Sequence, residues 1–542
     1  MPLPEKLLQL RDQFIARWQG RWQELAAKLV NLAGVVIALG WFLPLFFTHI
    51  KIITQPGPQE YNEPAIWHVT WLLDHGRNPY TANELPGAAY CFDPLYNYLM
   101  LALKPLIGID YTSHRLVNLV LLLLSLAVLV RLMLKAGTGL GIALLTAVFY
   151  HWMCLDNIMI TARPDLLGWL FFLLGILVPW ERNYTRGSVI FGLVCAFIAF
   201  HTKFYFALAG CATLLGSFIV RDKWASCVLG AKFFALLGLS FVACCIIVPY
   251  YYIETVVVQR GGAALNSSDE ISIMHTTMLF ARGWPFMLAM LYGLGAWIWR
   301  RHVIRRGGES PNRPEDRRFV ALGLVFMIFL VIVYFFMGRN AGAYFTYHLH
   351  LLFPLMFVLA AYALNRPWLR LGFGVLLAGY LIAVIFATNW LERPAIPPVP
   401  DSDAPYRRIE QLIFSARGDV LGIASTTDIF ERAGRRVLHN GNTMFIGFAF
   451  ADNGAGRDPK IAVLGQNYDA TIAEVTRKVK AREYALVLSE FDAPYFCSEE
   501  ILKQNYDKEE QIDYYTYFGH SPVRVWRPKP REGNAPAVGS PP

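Results

Sequence analysis

Residues 114–134 read HRLVNLVLLLLSLAVLVRLML, and this stretch decides the fold. No charged side chain lies between Arg115 and Arg131, and the run has the ~20 residues that a helix needs to cross the hydrocarbon core of a bilayer. Comparable runs recur on both sides, at roughly 27–49, 137–154, 164–180, 187–200, 204–220, 226–250, 284–299, 319–337, 345–364 and 369–390. They predict a polytopic α-helical membrane protein of about eleven transmembrane helices. The composition agrees. Of 542 residues, 55% are hydrophobic and only 16% charged, against about 25% charged in soluble domains. A soluble cytosolic enzyme, a disordered chain and a collagen-like chain are thereby excluded. The net charge of +9 does not point to nucleic acid, because the basic residues flank apolar segments, where they set topology.

That topology can be read from the flanks. Lys6, Arg11, Arg17, Arg21 and Lys28 precede the first span, which predicts a cytoplasmic N-terminus. Residues 1–26 place Leu3, Leu7, Leu10, Phe14, Trp18, Trp22 and Leu25 three and four apart, as in an amphipathic helix lying at the membrane surface; a cytoplasmic extension of the first span is the alternative. Residues 50–113 form a long outer loop. Within it, 94–108 is too short to span, since its ~15 residues rise only ~22 Å, and it is read as a helix in the outer interface. Treating it so leaves Arg131/Lys135, Arg182/Arg186, Arg221/Lys223, the cluster from Arg300 to Arg318, and Arg366/Arg370 all on the cytoplasmic side. The run 187–220 is broken only by His201-Thr202-Lys203 and is read as two short spans.

After residue 390 the character changes. Residues 391–404 form a Pro-rich, stiff linker. Residues 405–527 read as a small extracytoplasmic α/β domain, with strands at 419–424, 485–491 and 523–527 and helical periodicity over 469–484. The tail, 528–542, is rich in Pro and Gly and is expected to be disordered. The cysteines lack metal-ligand spacing, and nothing supports a disulfide between any two of Cys91, Cys154 and Cys497.

Charged groups near a bilayer are costly and mark function by default. Here they gather on the outer face: Glu60 and Glu63 in the first loop, Asp156, Arg163 and Asp165 in the second, His201 and Lys203 in the third, and Arg339 with His348 in a later one. Each has a structural alternative. Glu60 or Glu63 can simply solvate a loop, and Asp165 after Pro164 suits a helix start. Lys203 and Arg339 can snorkel to headgroups, and His348 can pack. Taken together, they suit transfer from a lipid-carried, phosphate-linked donor. A carboxylate accepts the proton of an acceptor hydroxyl, while Lys203 and Arg339 neutralise the departing phosphate. Glu60 and Glu63 are three residues apart and would share a face on a helical turn; Glu63 is favoured as the base because it abuts the helix that would orient it. The carboxylates are numerous enough to hold Mg²⁺ or Mn²⁺, yet show no recognisable ligand spacing, so metal dependence stays open.

The segments EYNEPAIWHVTWLLDHGRNPYT, CFDPLYNYLMLALKPLIG and HRLVNLVLLLL, then TARPDLLGWL, HTKFY and GAYFTYHLHLLFP, resemble in order the motifs of the GT-C superfamily of polytopic, lipid-dependent glycosyltransferases. The likeness covers most of 40–390. It implies an inverting glycosyltransferase of the bacterial cytoplasmic (inner) membrane. The donor would be a polyprenyl-phosphate-linked sugar and the acceptor a glycan, lipid or protein. By that resemblance Glu60 and Glu63 match the acidic pair that holds the catalytic base. Asp165, alone or with Asp156, matches the second acidic position, and Lys203 falls near the lipid phosphate; the charge pattern adds His201 and Arg339 as candidates for holding that phosphate. Three positions depart from the pattern: Glu60 stands for aspartate, Phe204 for glutamine and His350 for glutamate. A transporter, or a non-catalytic assembly subunit of the same fold, is the other reading. A transporter would place ionisable residues at mid-span, where this chain has few.

Overall fold

The computed structural model describes residues 5–156, 160–258, 314–332, 401–443, 459–490, 496–516 and 519–530, with a few single positions between them. The spans expected at 284–299, 345–364 and 369–390 fall almost wholly outside the described residues, as do Arg339 and His348.

Helix α1, Glu5–Thr54, runs unbroken for 50 residues, about 75 Å at 1.5 Å per residue. The helix expected to lie separately in the interface over 1–26 is therefore continuous with the first span. The physical reason is local: no Gly or Pro stands at the junction to stop it, and Pro44 sits further on within the span. A loop then leads to α2, Glu63–Asp74, and α3, Leu95–Ile107. At 13 residues, α3 rises only ~20 Å, and it packs on α2 through Asn97, whose Nδ2 donates to Ile66 O and Thr70 Oγ1, each at 2.9 Å. Helix α4, Tyr111–Lys135, is capped by Asp110, which accepts from Ser113 N at 2.7 Å.

Helices α5 (Leu140–Asp156), α6 (Asp165–Glu181), α7 (Arg186–Phe200), α8 (Leu208–Val220) and α9 (Lys223–Ile247) complete the described bundle with α10, Pro314–Ile332. Glu24–Thr54, Tyr111–Lys135 and Lys223–Ile247 are long and apolar enough to cross a membrane. The run 187–220 divides as expected: α7 ends at Phe200, Lys203 is extended, and a 3₁₀ turn at Phe204–Ala207 leads into α8. Asp222 caps α9 by accepting from Trp224 N and Ala225 N.

The C-terminal domain is a four-stranded mixed sheet in the order β1 (Asp419–Leu421), β2 (Tyr484–Ser489), β4 (Gly519–Pro528), β3 (Tyr506–Thr516). The β1/β2 pair is parallel and the other two are antiparallel. Alternation along β2 covers both faces. Leu486 and Leu488 pack with Ile409 and Ile413 of α11 (Asp403–Ser415), while Val487 packs with Val475 and Val479 of α13 (Pro459–Lys480). The helix expected at 469–484 thus starts earlier and ends at Lys480, and β2 begins at Tyr484. The strand β3 was not expected: its first half, YDKEEQ, is too polar to read as a strand and is held by its hairpin with β4. Helix α12 (Thr427–Arg432), after β1, and α14 (Glu499–Asn505), before β3, complete the described part of the domain. All eight cysteines are free thiols.

Candidate active site

Three loops at one end of the bundle bring four of the expected residues into a buried ladder of alternating charge. Asp165, the first residue of α6, contacts Lys203 Nζ on one side and Arg163 Nε at 3.0 Å on the other. Arg163 Nη1 in turn lies 3.6 Å from Glu60 Oε1. All four side chains are buried. Asn118 of α4 pins the middle of the ladder, donating from Nδ2 to the carbonyls of Thr161 and Arg163. Residues far apart in the chain therefore converge as the charge pattern required.

Glu60 and Glu63 bound one turn, in which Glu63 N donates to Glu60 O at 3.2 Å, but they meet different partners. Helix α2 begins only at Glu63, and Glu60 stands in the preceding turn. Glu63 is saturated. Its Oε1 accepts from Arg115 Nε at 2.9 Å and Ala162 N at 2.6 Å, and its Oε2 from Arg115 Nη2 at 2.7 Å and Gln59 N at 2.5 Å. Both side chains are 0% exposed, and Arg115 further donates to the carbonyls of Ile52, Gln55 and Gly57. This bidentate pair with two added amides leaves neither buried carboxylate oxygen without a donor. It ties α2, α4 and the loop 55–63 together.

Glu60 is held more lightly, by Asn62 N at 3.0 Å and Asn62 Nδ2 at 2.9 Å. Burial pushes its carboxyl up to about 7, although Arg163 pulls the other way. Burial pulls the Arg163 guanidinium down, but Glu60 and Asp165 outweigh it and hold the group above its ordinary value. Lys203 is lowered by burial, with Asp165 opposing. Lys203 Nζ also lies 4.7 Å from the centre of the Phe92 ring, a cation–π contact.

His201 stands apart from the ladder. Its Nδ1 is 3.1 Å from Asp93 Oδ2 and its Nε2 3.2 Å from Ser240 Oγ. Asp93 also accepts from Tyr251 Oη. The backbone of Tyr90 donates to the fully buried Glu254 at 2.8 Å, whose carboxyl is raised well above its ordinary value by burial. Asp93, Glu254, Arg115 and Asn118 thus join the candidate site, though the sequence did not single them out. Arg115 alone carried a signal, a charge at the mouth of an apolar span. Asp156 ends α5, and its side chain lies outside the described residues. Among the described residues, no group of three or more His, Cys, Asp or Glu side chains is placed to hold a metal ion; Glu60, Glu63 and Asp165 each face a cation instead.

The C-terminal domain closes over this end. Tyr514 Oη donates to Pro58 O at 2.9 Å, Asn440 Nδ2 to Ala89 O at 3.0 Å and Thr443 Oγ1 to Pro86 O at 3.0 Å. His68 and Glu431 meet at 2.7 Å in a buried contact. Gly441 lies so close that a Cβ there would fall 2.1 Å from Tyr61 O, and its φ of +92° is one that glycine adopts freely.

No family model matches the chain, and no curated protein matches it. Among solved structures, it is similar to ArnT from Cupriavidus metallidurans in the apo state, at 14% identity over 83% of this chain and 80% of that one, with a TM-score of 0.46. The same protein bound to undecaprenyl phosphate matches at 13% identity over 84% and 79%, with a TM-score of 0.39. The Archaeoglobus fulgidus oligosaccharyltransferase tethered to an acceptor peptide matches at 10% identity over 93% and 74%, with a TM-score of 0.44. These are likenesses of outline, and the function is argued from the side chains.

Proposed function

We propose that this protein is an inverting glycosyltransferase that moves a sugar from a polyprenyl-phosphate donor to a hydroxyl acceptor, at the membrane face covered by the C-terminal domain. The observation that carries the reading is the buried ladder Glu60–Arg163–Asp165–Lys203. A general base works best when its pKa lies near the operating pH, and Glu60, at about 7, meets that condition. Glu63 has both oxygens committed to Arg115 and two amides. The base is therefore Glu60, and Glu63 is the residue that positions the loop.

In the proposed step the acceptor oxygen attacks the anomeric carbon as its proton passes to Glu60. The bond from that carbon to the phosphate oxygen breaks on the opposite face, and polyprenyl phosphate departs with the electron pair. A single displacement inverts the anomeric centre. Arg163 and Lys203 supply the positive charge that the leaving phosphate requires, and Asp165 holds the two cations side by side without neutralising both. His201, held by Asp93 and Ser240, stands apart from the ladder. Arg339 and His348 remain expectations from the charge pattern of the sequence. Glu60→Gln retains size and hydrogen bonding but not basicity. It is expected to cut transfer at least about a hundredfold with the donor still bound; full activity in Glu60→Gln would overturn the carboxylate-base mechanism.

A further inference from the structure

Glu181 closes α6 at the end opposite Asp165, and a second feature lies at that far end of the bundle. A cavity of about 630 Å³ opens there between the start of α7, the end of α8 and the start of α9. Arg186 and Arg221 stand at its rim, Lys232 lies further in, and Val189, Val228 and Leu229 form an apolar wall. Arg221 is held in place by donation from Nε to Asn183 O at 2.7 Å. Trp224, also at the rim, is 77% exposed, as an indole at the headgroup level is.

Lys232 is the unusual member. It lies nine residues into α9, roughly 13 Å below the helix start, inside a helix long and apolar enough to cross the membrane. It has no ion pair among the described residues. A cation at that depth is expensive unless it reaches an anion or the interface. Asp222, the acidic group at the rim, is occupied by the first amides of α9. Two rim arginines and a deeper lysine around an apolar wall at a membrane surface match one class of ligand, a phosphate carrying acyl chains. We propose that this cavity binds an anionic phospholipid of the leaflet opposite the active site. Its phosphate lies between Arg186 and Arg221, Lys232 reaches up to it from below, and its chains follow Val189, Val228 and Leu229.

The test is a native mass-spectrometric titration of the full-length protein in mild detergent with dioleoylphosphatidylglycerol. Dioleoylphosphatidylcholine and inorganic phosphate are titrated in parallel. Each cation is expected to account for about fivefold in affinity, so Lys232→Met should weaken phosphatidylglycerol by at least that factor and Lys232→Arg should not. Arg186→Gln with Arg221→Gln should weaken it about twenty-fivefold. Arg131→Gln, on the same face but paired with Glu181 at 3.1 Å, should change nothing. Lys232→Met keeps an apolar side chain of similar length, so the test survives if the arginine variants fail to fold. Equal affinity for phosphatidylcholine, full competition by inorganic phosphate, or an equal loss in Arg131→Gln would each overturn the proposal.

Discussion

Glu60→Gln and Glu63→Gln should fail in different ways, and the difference follows from hydrogen-bond counting. In Glu63→Gln one carboxylate oxygen becomes an amide donor. Whichever oxygen is replaced, the new NH₂ faces Arg115 and one backbone N–H, since Ala162 N and Arg115 Nε meet Oε1 while Gln59 N and Arg115 Nη2 meet Oε2. The substitution also strands the charge of Arg115, which is 0% exposed. Removing one partner of such a pair costs about 3–5 kcal/mol, enough to lower the unfolding temperature by roughly 10 °C for a domain of about 200 residues. Glu60→Gln costs little of this, because Arg163 is still paired with Asp165 at 3.0 Å. Its loss should appear in turnover, by about 10²–10⁴-fold. The assay pairs thermal unfolding of the purified full-length protein with single-turnover transfer. A Glu63→Gln protein as stable as the parent, together with an active Glu60→Gln, would refute the assignment of the two roles.

As the base must be ionised, kcat/KM should rise with pH through about 7, and this limb should be absent from the residual activity of Glu60→Gln. Stability shifts the opposite way: between the ordinary 4.5 and about 7 the folded protein holds a proton that the unfolded chain has released, so this group disfavours the fold increasingly as pH rises across that window. Lys203→Met should weaken equilibrium binding of a polyprenyl phosphate roughly ten- to a hundredfold while expression is retained; unchanged affinity would leave Lys203 a structural partner of Asp165. Gly441→Ala should loosen the docking of the C-terminal domain, because its Cβ would strike Tyr61 O at 2.1 Å, and hydrogen exchange should rise over residues 55–63. Gly434→Ala, at φ +64° with nothing within 4 Å, carries the backbone strain without the clash and should leave that exchange unchanged.

Membrane helices were legible from the sequence because hydrocarbon imposes its demand segment by segment. A run such as 116–130 without a charge has one stable setting whatever its neighbours do. The short α3 and the break at Lys203 were legible for the same reason, being failures of length and of apolarity. The gathering of Glu60, Arg163, Asp165 and Lys203 at one end of the bundle followed from counting spans. The sequence did not separate Glu60 from Glu63, since both are glutamates three residues apart in one loop. Their roles depend on what arrives from elsewhere: Arg115 from α4 and the amide of Ala162 for one, Arg163 alone for the other. Asp93 and Glu254 were likewise invisible, because burial, which turns a loop carboxylate into part of a site, is a property of packing. Strand β3 became a strand only through β4. Local solvent preference determined which segments enter the membrane; long-range contacts determined which carboxylate is saturated and which is held lightly.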